Sequence, residues 1–208
     1  MFHPDTLIAA FDNALRAVAA RPVAQRPSPA EPVAEPVLNA AARRESAALM
    51  RVNHCGEICA QALYQGQALA SSSHSIKAAL ERAANEEEDH LAWCEQRIAE
   101  LCGRTSVLHP LWYLGAFGIG FVAGRMGDGW NLGFLKETER QVEKHLEGHL
   151  ARLAPEDHKT RAVVTTMQAD EVAHAQTAND LGARELPEGV KAAMRAASKV
   201  MTTVSYRL

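Results

Sequence analysis

The pattern of apolar and polar positions predicts helices along most of the chain. Apolar residues recur every three or four positions, as on one face of a helix, and β-branched runs typical of strands are scarce. Long helices are predicted over residues 40–70, 75–101, 131–153 and 156–183, with a last one over 187–204. Serines 71–73, Gly103 and Pro155 mark helix ends. The pattern therefore indicates an all-α protein.

The N-terminal part differs from the rest in composition. Residues 1–20 predict a short amphipathic helix, with Leu7, Ile8, Phe11, Leu15 and Val18 at helical spacing. Five prolines then fall between positions 22 and 36, which is typical of an extended linker. We therefore predict an appendage with a proline-rich linker over residues 1–37 and one helical domain over residues 38–208.

An apolar stretch separates the second and third long helices. Residues 107–124 contain few charges, and the stretch is too short to span a bilayer, which takes about 20 apolar residues. We expect it to dip into a membrane surface or to line a pocket for a lipid, and the alternative is a short helix buried in the bundle. The side chains proposed for membrane or substrate access are Leu111, Trp112, Tyr113, Phe117 and Phe121.

The connections between helices predict the topology. Short turns join the first helix to the second and the third to the fourth, whereas the middle connection is long. Two antiparallel hairpins with a long crossover are typical of the ferritin-like four-helix bundle. The fold class is therefore an all-α, ferritin-like bundle with an apolar crossover between helices two and three and an extra C-terminal helix.

Charge and cysteine content exclude several function classes. The net charge is −3 over 208 residues, and no basic block suggests nucleic acid. The four cysteines form no Cys-x-x-Cys pair and no signal peptide is evident, so a reducing, cytoplasmic compartment is expected. Cys55 and Cys59 lie one turn apart and could bind a metal, but buried, reduced thiols are the simpler interpretation.

A repeated pattern of acids and histidines carries the candidate chemistry. Glu57 is followed by Glu87-x-x-His90, and Glu139 is followed by Glu171-x-x-His174. Residues three apart share a helix face, so each pair can turn a carboxylate and an imidazole toward the bundle interior. Two single glutamates and two Glu-x-x-His pairs are the ligands of a dinuclear carboxylate metal site in such bundles. Ligands rich in oxygen suit iron or manganese more than zinc or copper.

Aligning the two halves of the chain selects Glu139 from several acids. When Glu57 is placed on Glu139, Gly66 coincides with Gly148, and the Glu-x-x-His pairs differ in offset by two residues. Glu137 remains the alternative to Glu139.

Each half also carries an acid directly before the Glu-x-x-His glutamate. Glu86 and Asp170 are hypothesised to accept a hydrogen bond from a ligating histidine, and the alternative is that both are solvated. His54, His145 and Tyr64 are weaker candidates for hydrogen bonding near the site.

The motifs resemble the demethoxyubiquinone hydroxylase family. Arg51-Val-Asn-His-Cys-Gly-Glu57, followed by Ala60 and Tyr64-Gln-Gly-Gln67, is similar to the first helix of that family, and Glu87-x-x-His90-Leu-x-Trp93 is similar to its second. Glu139 and Glu171-x-x-His174 fit the third and fourth helices. The resemblance covers roughly residues 38–208 and leaves the N-terminal segment outside.

This resemblance implies a membrane-associated di-iron monooxygenase of ubiquinone biosynthesis. It would use O2 and two Fe²⁺ ions to hydroxylate the ring of a polyprenylated methoxy-methyl-benzoquinol, the penultimate step of the pathway. The iron ligands would be Glu57, Glu87, His90, Glu139, Glu171 and His174, with Glu87 and Glu171 bridging. The expected location is the cytoplasmic side of the inner membrane, as a peripheral protein that forms a homo-oligomer or associates with other proteins of the pathway.

Two other classes of protein use similar ligands. One is a different enzyme on the same scaffold, such as a transfer-RNA-modifying hydroxylase or a manganese catalase, and the other is an iron-storage or iron-sequestering protein. The apolar crossover argues against both, because neither class needs a lipid-facing surface.

Overall fold

A computed structural model describes residues 4–35 and 37–208 of the chain, and all regular secondary structure in these ranges is helical. The helices are α1 (Pro4–Ala19), α2 (Ala40–Ala70), α3 (His74–Glu100), α4 (His109–Arg125), α5 (Asp128–Arg152), α6 (His158–Asp180) and α7 (Glu188–Ser205). Helices α2, α3, α5 and α6 form the bundle, with α2 packed on α3 and α5 on α6. The predicted ferritin-like architecture is confirmed, and the boundaries of the five predicted long helices are correct to within about three residues.

Side-chain caps explain where three bundle helices begin. Asn39 accepts hydrogen bonds from the backbone N–H groups of Ala41 and Ala42 at the start of α2. Ser73 caps α3, and Asp157 accepts from the N–H of Thr160 at 3.1 Å to cap α6. Asp157 is fully buried and also binds the Arg97 guanidinium at 3.0 Å. Its carboxylate therefore ties the start of α6 to α3 inside the bundle.

The apolar crossover is a regular helix, α4, packed along α2. Gly66 of α2 lies against the backbone of Phe117 and Phe121, and Gly120 of α4 lies against the backbone of Leu63. A Cβ at either glycine would clash with backbone atoms, so glycine allows the two helix axes to approach closely. The side of α4 that faces α2 is therefore set by its small residues.

The opposite side of α4 is apolar and faces outward. Leu111, Leu114, Ile119 and Val122 are between 46% and 69% exposed. Tyr113 is instead buried, donates a hydrogen bond to Gln65 and stacks on Phe117. Trp112, Phe117 and Phe121 are half-buried. The predicted access residues thus divide between an exposed face and a packed face.

Helix α1 lies beside α2 and α4. Ala14, Ala17 and Val18 pack against Ile58, Tyr113 and their neighbours, whereas Ile8, Phe11 and Leu15 are at least half exposed. The side chain of Leu7 lies outside the described residues. No helix in the described part of the chain is long and apolar enough to cross a membrane.

The proline-rich segment that follows α1 runs along the outside of the bundle. Its residue Ala30 is buried in the main core cluster with Trp93 and Leu146. Glu35 lies 3.2 Å from the Arg97 guanidinium near the far end of the segment. Pro36 lies outside the described residues, as do residues 1–3, and the division of the chain at residue 37 stays a prediction.

Candidate metal centre

The six predicted ligand side chains meet in the middle of the bundle. Each bundle helix contributes at least one, so the site depends on all four helices being in register. All six are buried, with exposed fractions of 0–7%. They are Glu57 of α2, Glu87 and His90 of α3, Glu139 of α5, and Glu171 and His174 of α6.

The cluster divides into two overlapping groups. One contains Glu57, Glu87, His90 and Glu171, and the other contains Glu87, Glu139, Glu171 and His174. Within each group, one potential ligand atom from every residue lies within 4.8 Å of the others. Glu87 and Glu171 belong to both groups. This is the arrangement that two metal ions with two shared carboxylates would require.

Acidic residues on the neighbouring helix hold both imidazole rings. Asp170 of α6 lies 2.8 Å from Nε2 of His90 on α3, and Glu86 of α3 lies 2.7 Å from Nε2 of His174 on α6. Each Nε2–H donates across the bundle to a carboxylate, which leaves Nδ1 directed at the cluster. The hypothesised role of Glu86 and Asp170 agrees with this geometry.

Burial of so many acids perturbs their protonation. Burial raises the pKa of the Glu57 carboxyl well above its ordinary value, and the charges of Glu87 and Glu171 raise it further. Burial also raises the pKa of Glu139 and raises that of Glu171 well above its ordinary value. Burial and repulsion between neighbouring carboxylates therefore favour the protonated form of these three carboxyls.

The two imidazoles interact most directly with Glu87. Burial opposes ionisation of Glu87, but the charge of His90 and the imidazole of His174, whose Nδ1 lies 3.3 Å from Glu87 Oε1, prevail and lower its pKa. Burial likewise opposes a charge on His90, yet Glu87 and Asp170 raise the pKa of that imidazole to about 9. Glu87 is therefore the carboxylate of the cluster whose ionised form the two imidazoles favour.

Tyr64 lies at the edge of the cluster. Its hydroxyl donates a hydrogen bond to Glu139 and lies 3.4 Å from Glu87. Burial raises the pKa of the phenol well above its ordinary value, and the adjacent Glu139 carboxylate adds to this rise. Tyr64 therefore stays a neutral donor and orients the Glu139 carboxylate.

The donor set fits a dinuclear metal site. Four carboxylates and two imidazoles can neutralise and coordinate two divalent ions, and oxygen donors predominate. Glu171 Oε2 and His174 Nδ1 are buried and point into the cluster. Neither atom takes part in a hydrogen bond with the described residues. Buried polar atoms are nearly always satisfied in proteins, so a metal ion is the natural partner of these two.

The remaining predicted residues lie outside the cluster. Glu137 accepts a hydrogen bond from Gln141 and faces Lys191 near α7, so the geometry favours Glu139. His54 packs on His109 with a ring-centroid distance of 4.8 Å, and His145 packs on His149 at 4.0 Å. The structure therefore does not place the ring of His54 or that of His145, which were weaker candidates, at the cluster.

The glycine coincidence used to align the two halves has no common structural basis. Gly66 is enclosed by α4, whereas a Cβ at Gly148 would meet open space. What the two halves share is the spacing of the acids and histidines, which places Glu57 and Glu139 at corresponding positions around the cluster. The matched spacing of the acids and histidines therefore supports the alignment, and the glycine coincidence does not.

Sequence reasoning missed the contacts on the outer side of the His90 ring. Arg26 binds Asp170, the hydrogen-bond partner of His90, and also binds Asp89. Asp89 belongs to the acidic run at residues 86–89, so its position carried a weak signal. Arg26 lies in the proline-rich segment, and no local pattern marks it.

Comparison with known proteins agrees with this site. The family of the ubiquinone biosynthesis protein COQ7 matches residues 44–205. The chain belongs to this family. A protein of Azoarcus sp. (strain BH72) is 58% identical over 98% of this chain and 99% of its own length, and one of Dechloromonas aromatica is 56% identical over the same shares. Each is named 3-demethoxyubiquinol 3-hydroxylase.

The length of these matches corrects one expectation. A match over 98% of the chain extends far into the N-terminal segment, although the family as such begins at residue 44. The expectation that residues 1–37 lie outside the resemblance is therefore wrong for these COQ7-family relatives. The proline-rich segment is part of what the chain shares with them.

Proposed function

We propose that this protein hydroxylates the ring of a demethoxyubiquinol with O2 at a dinuclear iron centre. The observation that carries the proposal is the pair of overlapping four-residue groups, which share Glu87 and Glu171 at the centre of the bundle. Full-length similarity to relatives named 3-demethoxyubiquinol 3-hydroxylase supports this reaction over iron storage or transfer-RNA modification.

The six cluster residues would hold the two ions. His90 and His174 would bind through Nδ1, because Nε2 of each ring is already hydrogen-bonded to Asp170 or Glu86. When bound, a pair of Fe²⁺ ions would supply electrons for the activation of O2, with one oxygen atom entering the ring, the other leaving as water, and the quinol or an external donor returning two electrons per turnover. The oxygen-rich donor set favours iron or manganese, and hydroxylation by O2 requires redox chemistry, which favours iron.

A cavity beside Tyr64 offers a route for the substrate. It has a volume of about 450 Å³ and lies between α1, α2 and α3. Its lining combines apolar side chains such as Leu80 and Leu91 with charged ones such as Arg16 and Lys77. Tyr64 lines it while also contacting Glu87 and Glu139. The size is typical of a small-molecule site. The quinol ring would enter here, with its reacting carbon directed toward the carboxylate cluster.

The apolar side chains on α1 and α4 support peripheral binding to a membrane. Leu111, Leu114 and Val122 on α4 are exposed, as are Ile8 and Phe11 on the adjacent α1. A polyprenylated quinol resides in the bilayer, so an enzyme that takes it from there needs an apolar contact surface. The inner membrane, from its cytoplasmic side, is the location that this proposal implies.

The proposal is tested by iron analysis and by complementation. Protein reconstituted with Fe²⁺ under anaerobic conditions should bind two ions per chain, and the gene should restore ubiquinone in a strain that lacks this hydroxylase. Glu171→Ala should bind less iron and leave the demethoxy quinone to accumulate, whereas Glu137→Ala should behave as the parent protein. Iron binding in large excess over two ions per chain would instead support storage and overturn the proposal.

A further inference from the structure

The proline-rich segment docks on the bundle beside His90. The backbone N–H groups of Gln25 and Arg26 donate to Asp89 Oδ1 at 2.6 and 3.3 Å, and Arg26 Nε donates to Asp89 Oδ2 at 2.6 Å. The guanidinium also lies 4.8 Å from the Trp93 ring centroid, and Trp93 Nε1 donates to the Arg26 carbonyl. Several independent contacts therefore hold Arg26 in one place.

Arg26 also reaches the acid that holds His90. Its Nη2 donates to Asp170 Oδ2 at 2.9 Å, and the same oxygen lies 2.8 Å from His90 Nε2. One carboxylate oxygen thus joins the arginine to the imidazole. A planar guanidinium that binds Asp89 and Asp170 at once restricts both carboxylates. The orientation of Asp170, and with it that of the His90 ring, is therefore constrained by a residue of the N-terminal segment.

The other half of the site has no such support. Glu86 binds His174 Nε2 with 47% of its side chain exposed, compared with 21% for Asp170. Among the described residues, no arginine or lysine nitrogen lies within 4.0 Å of the Glu86 carboxylate. The acids and histidines repeat in the two halves of the sequence, yet among the described residues an arginine binds Asp170 and none binds Glu86. The pseudo-symmetry of the ligands does not extend to their surroundings.

We infer that Arg26 is a positioning residue for His90, so that the N-terminal segment completes one half of the metal centre and makes its two halves unequal. The inference rests on the proposed metal site. Removing the hydrogen-bond partner of a ligating histidine typically lowers metal affinity by about 10- to 100-fold. Because Arg26 acts one contact further out, we expect Arg26→Gln to weaken one of the two metal positions by about tenfold, at the lower end of that range.

Two reference variants identify the position that changes. Asp170→Asn alters the partner of His90, and Glu86→Gln alters the partner of His174. Each variant is reconstituted with ⁵⁷Fe²⁺ under anaerobic conditions and examined by Mössbauer spectroscopy and by competition with a chelator. Arg26→Gln should reproduce the spectral change and selective iron loss of Asp170→Asn and not those of Glu86→Gln. The double variant Arg26→Gln/Asp170→Asn should be no weaker than Asp170→Asn alone.

Control variants separate positioning from general stability. Glu35→Gln removes a different anchor of the same segment, at Arg97, and should leave both iron positions unchanged even if the melting temperature falls. Arg26→Lys keeps the charge but lacks the planar fork, so it should recover only part of the parent affinity. Equal weakening of both positions by Arg26→Gln, or no change at either, would overturn the inference. Failure of the parent protein to bind two ions would instead overturn the proposed function.

Discussion

At the scale of single residues, the metal centre is a cluster of acids that the fold alone does not favour. Four carboxyls lie buried close to one another, and the raised pKa values of Glu57, Glu139 and Glu171 reflect the cost of ionising them there. Two bound metal ions would supply the compensating charge. The residues that serve the proposed reaction therefore lower the stability of the protein when the metal is absent.

Glu57→Gln should stabilise the metal-free protein. The pKa of Glu57 is raised in the folded state, so the folded protein binds this proton more tightly and loses stability as pH rises above the unfolded value. A glutamine carries no charge at any pH. We therefore expect the metal-free variant to have a higher free energy of unfolding than the parent at pH 7.

Chemical denaturation in the presence of a chelator measures this gain. The same variant should bind less iron than the parent, because Glu57 belongs to one of the two ligand groups. Exposed Glu147→Gln serves as the control. A metal-free Glu57→Gln protein that is less stable than the parent would contradict the prediction.

The pair His145 and His149 should make stability fall in acid. Burial lowers the pKa of His145 to about 4 and that of His149 to about 2, with nearby positive charge adding to each effect. The unfolded chain takes up these protons below about pH 6.5, but the folded protein does so only at lower pH. Stability from these groups is therefore present above pH 6.5 and is lost as pH falls toward 4.

The double variant His145→Gln/His149→Gln tests this dependence. Its free energy of unfolding should fall less steeply between pH 6.5 and pH 5 than that of the parent, by up to about 1.4 kcal/mol per pH unit for each histidine. His74→Gln changes an exposed ring and should leave the slope unchanged. Parallel curves for the double variant and the parent would contradict the prediction.

At the scale of the elements, close packing of α4 on α2 depends on glycine. Gly120→Ala places a Cβ against the backbone of Leu63. Backbone atoms within a helix cannot shift as easily as the end of a flexible side chain. Overpacking of this kind typically costs about 1–3 kcal/mol. Gly118→Ala in the same helix meets open space, so it should stabilise α4 by up to about 1 kcal/mol through helix propensity.

Urea denaturation of both variants distinguishes the two effects. Opposite signs for Gly120→Ala and Gly118→Ala are expected from glycines only two positions apart in one helix. Equal destabilisation by both would show that α4 does not pack on α2 through Gly120. Because α4 carries the exposed apolar face, its position on α2 also decides where that face points.

At the scale of the whole molecule, the exposed faces of α1 and α4 form the proposed membrane contact. Leu114 on α4 is 69% exposed, and Leu114→Glu places a charge on this face. The variant should bind vesicles of phosphatidylethanolamine and phosphatidylglycerol about tenfold more weakly or worse, because burying a leucine side chain contributes about 1.5–3 kcal/mol. Val200→Glu on α7 changes a side chain of similar exposure, 59%, and should bind as the parent does. Sedimentation with vesicles measures both variants.

Binding of the parent should survive high salt and be lost in detergent, because the contact is apolar. Equal effects of Leu114→Glu and Val200→Glu would assign the contact to general surface hydrophobicity and contradict the proposed membrane face. Loss of parent binding in salt alone would indicate an electrostatic contact instead.

The sequence by itself determined the helices and the six acidic and histidine residues that the fold brings together. Helical periodicity is a local property, and Glu87-x-x-His90 and Glu171-x-x-His174 each place two donors on one face through backbone geometry alone. The crossover was recognised as apolar, and a short buried helix was only the alternative to a membrane-surface or lipid-pocket segment. Its small residues acquire their meaning only from the neighbouring backbone of α2.

Only the tertiary structure decided how the donors combine. Sequence analysis could assign shared roles to Glu87 and Glu171 through resemblance alone, whereas the overlap of the two groups depends on how four helices pack. Arg26 lies 63 residues before Asp89 and 144 before Asp170, so no local pattern relates them. Periodicity acts within a few turns of a helix, whereas contacts between distant segments arise only when the whole chain is folded.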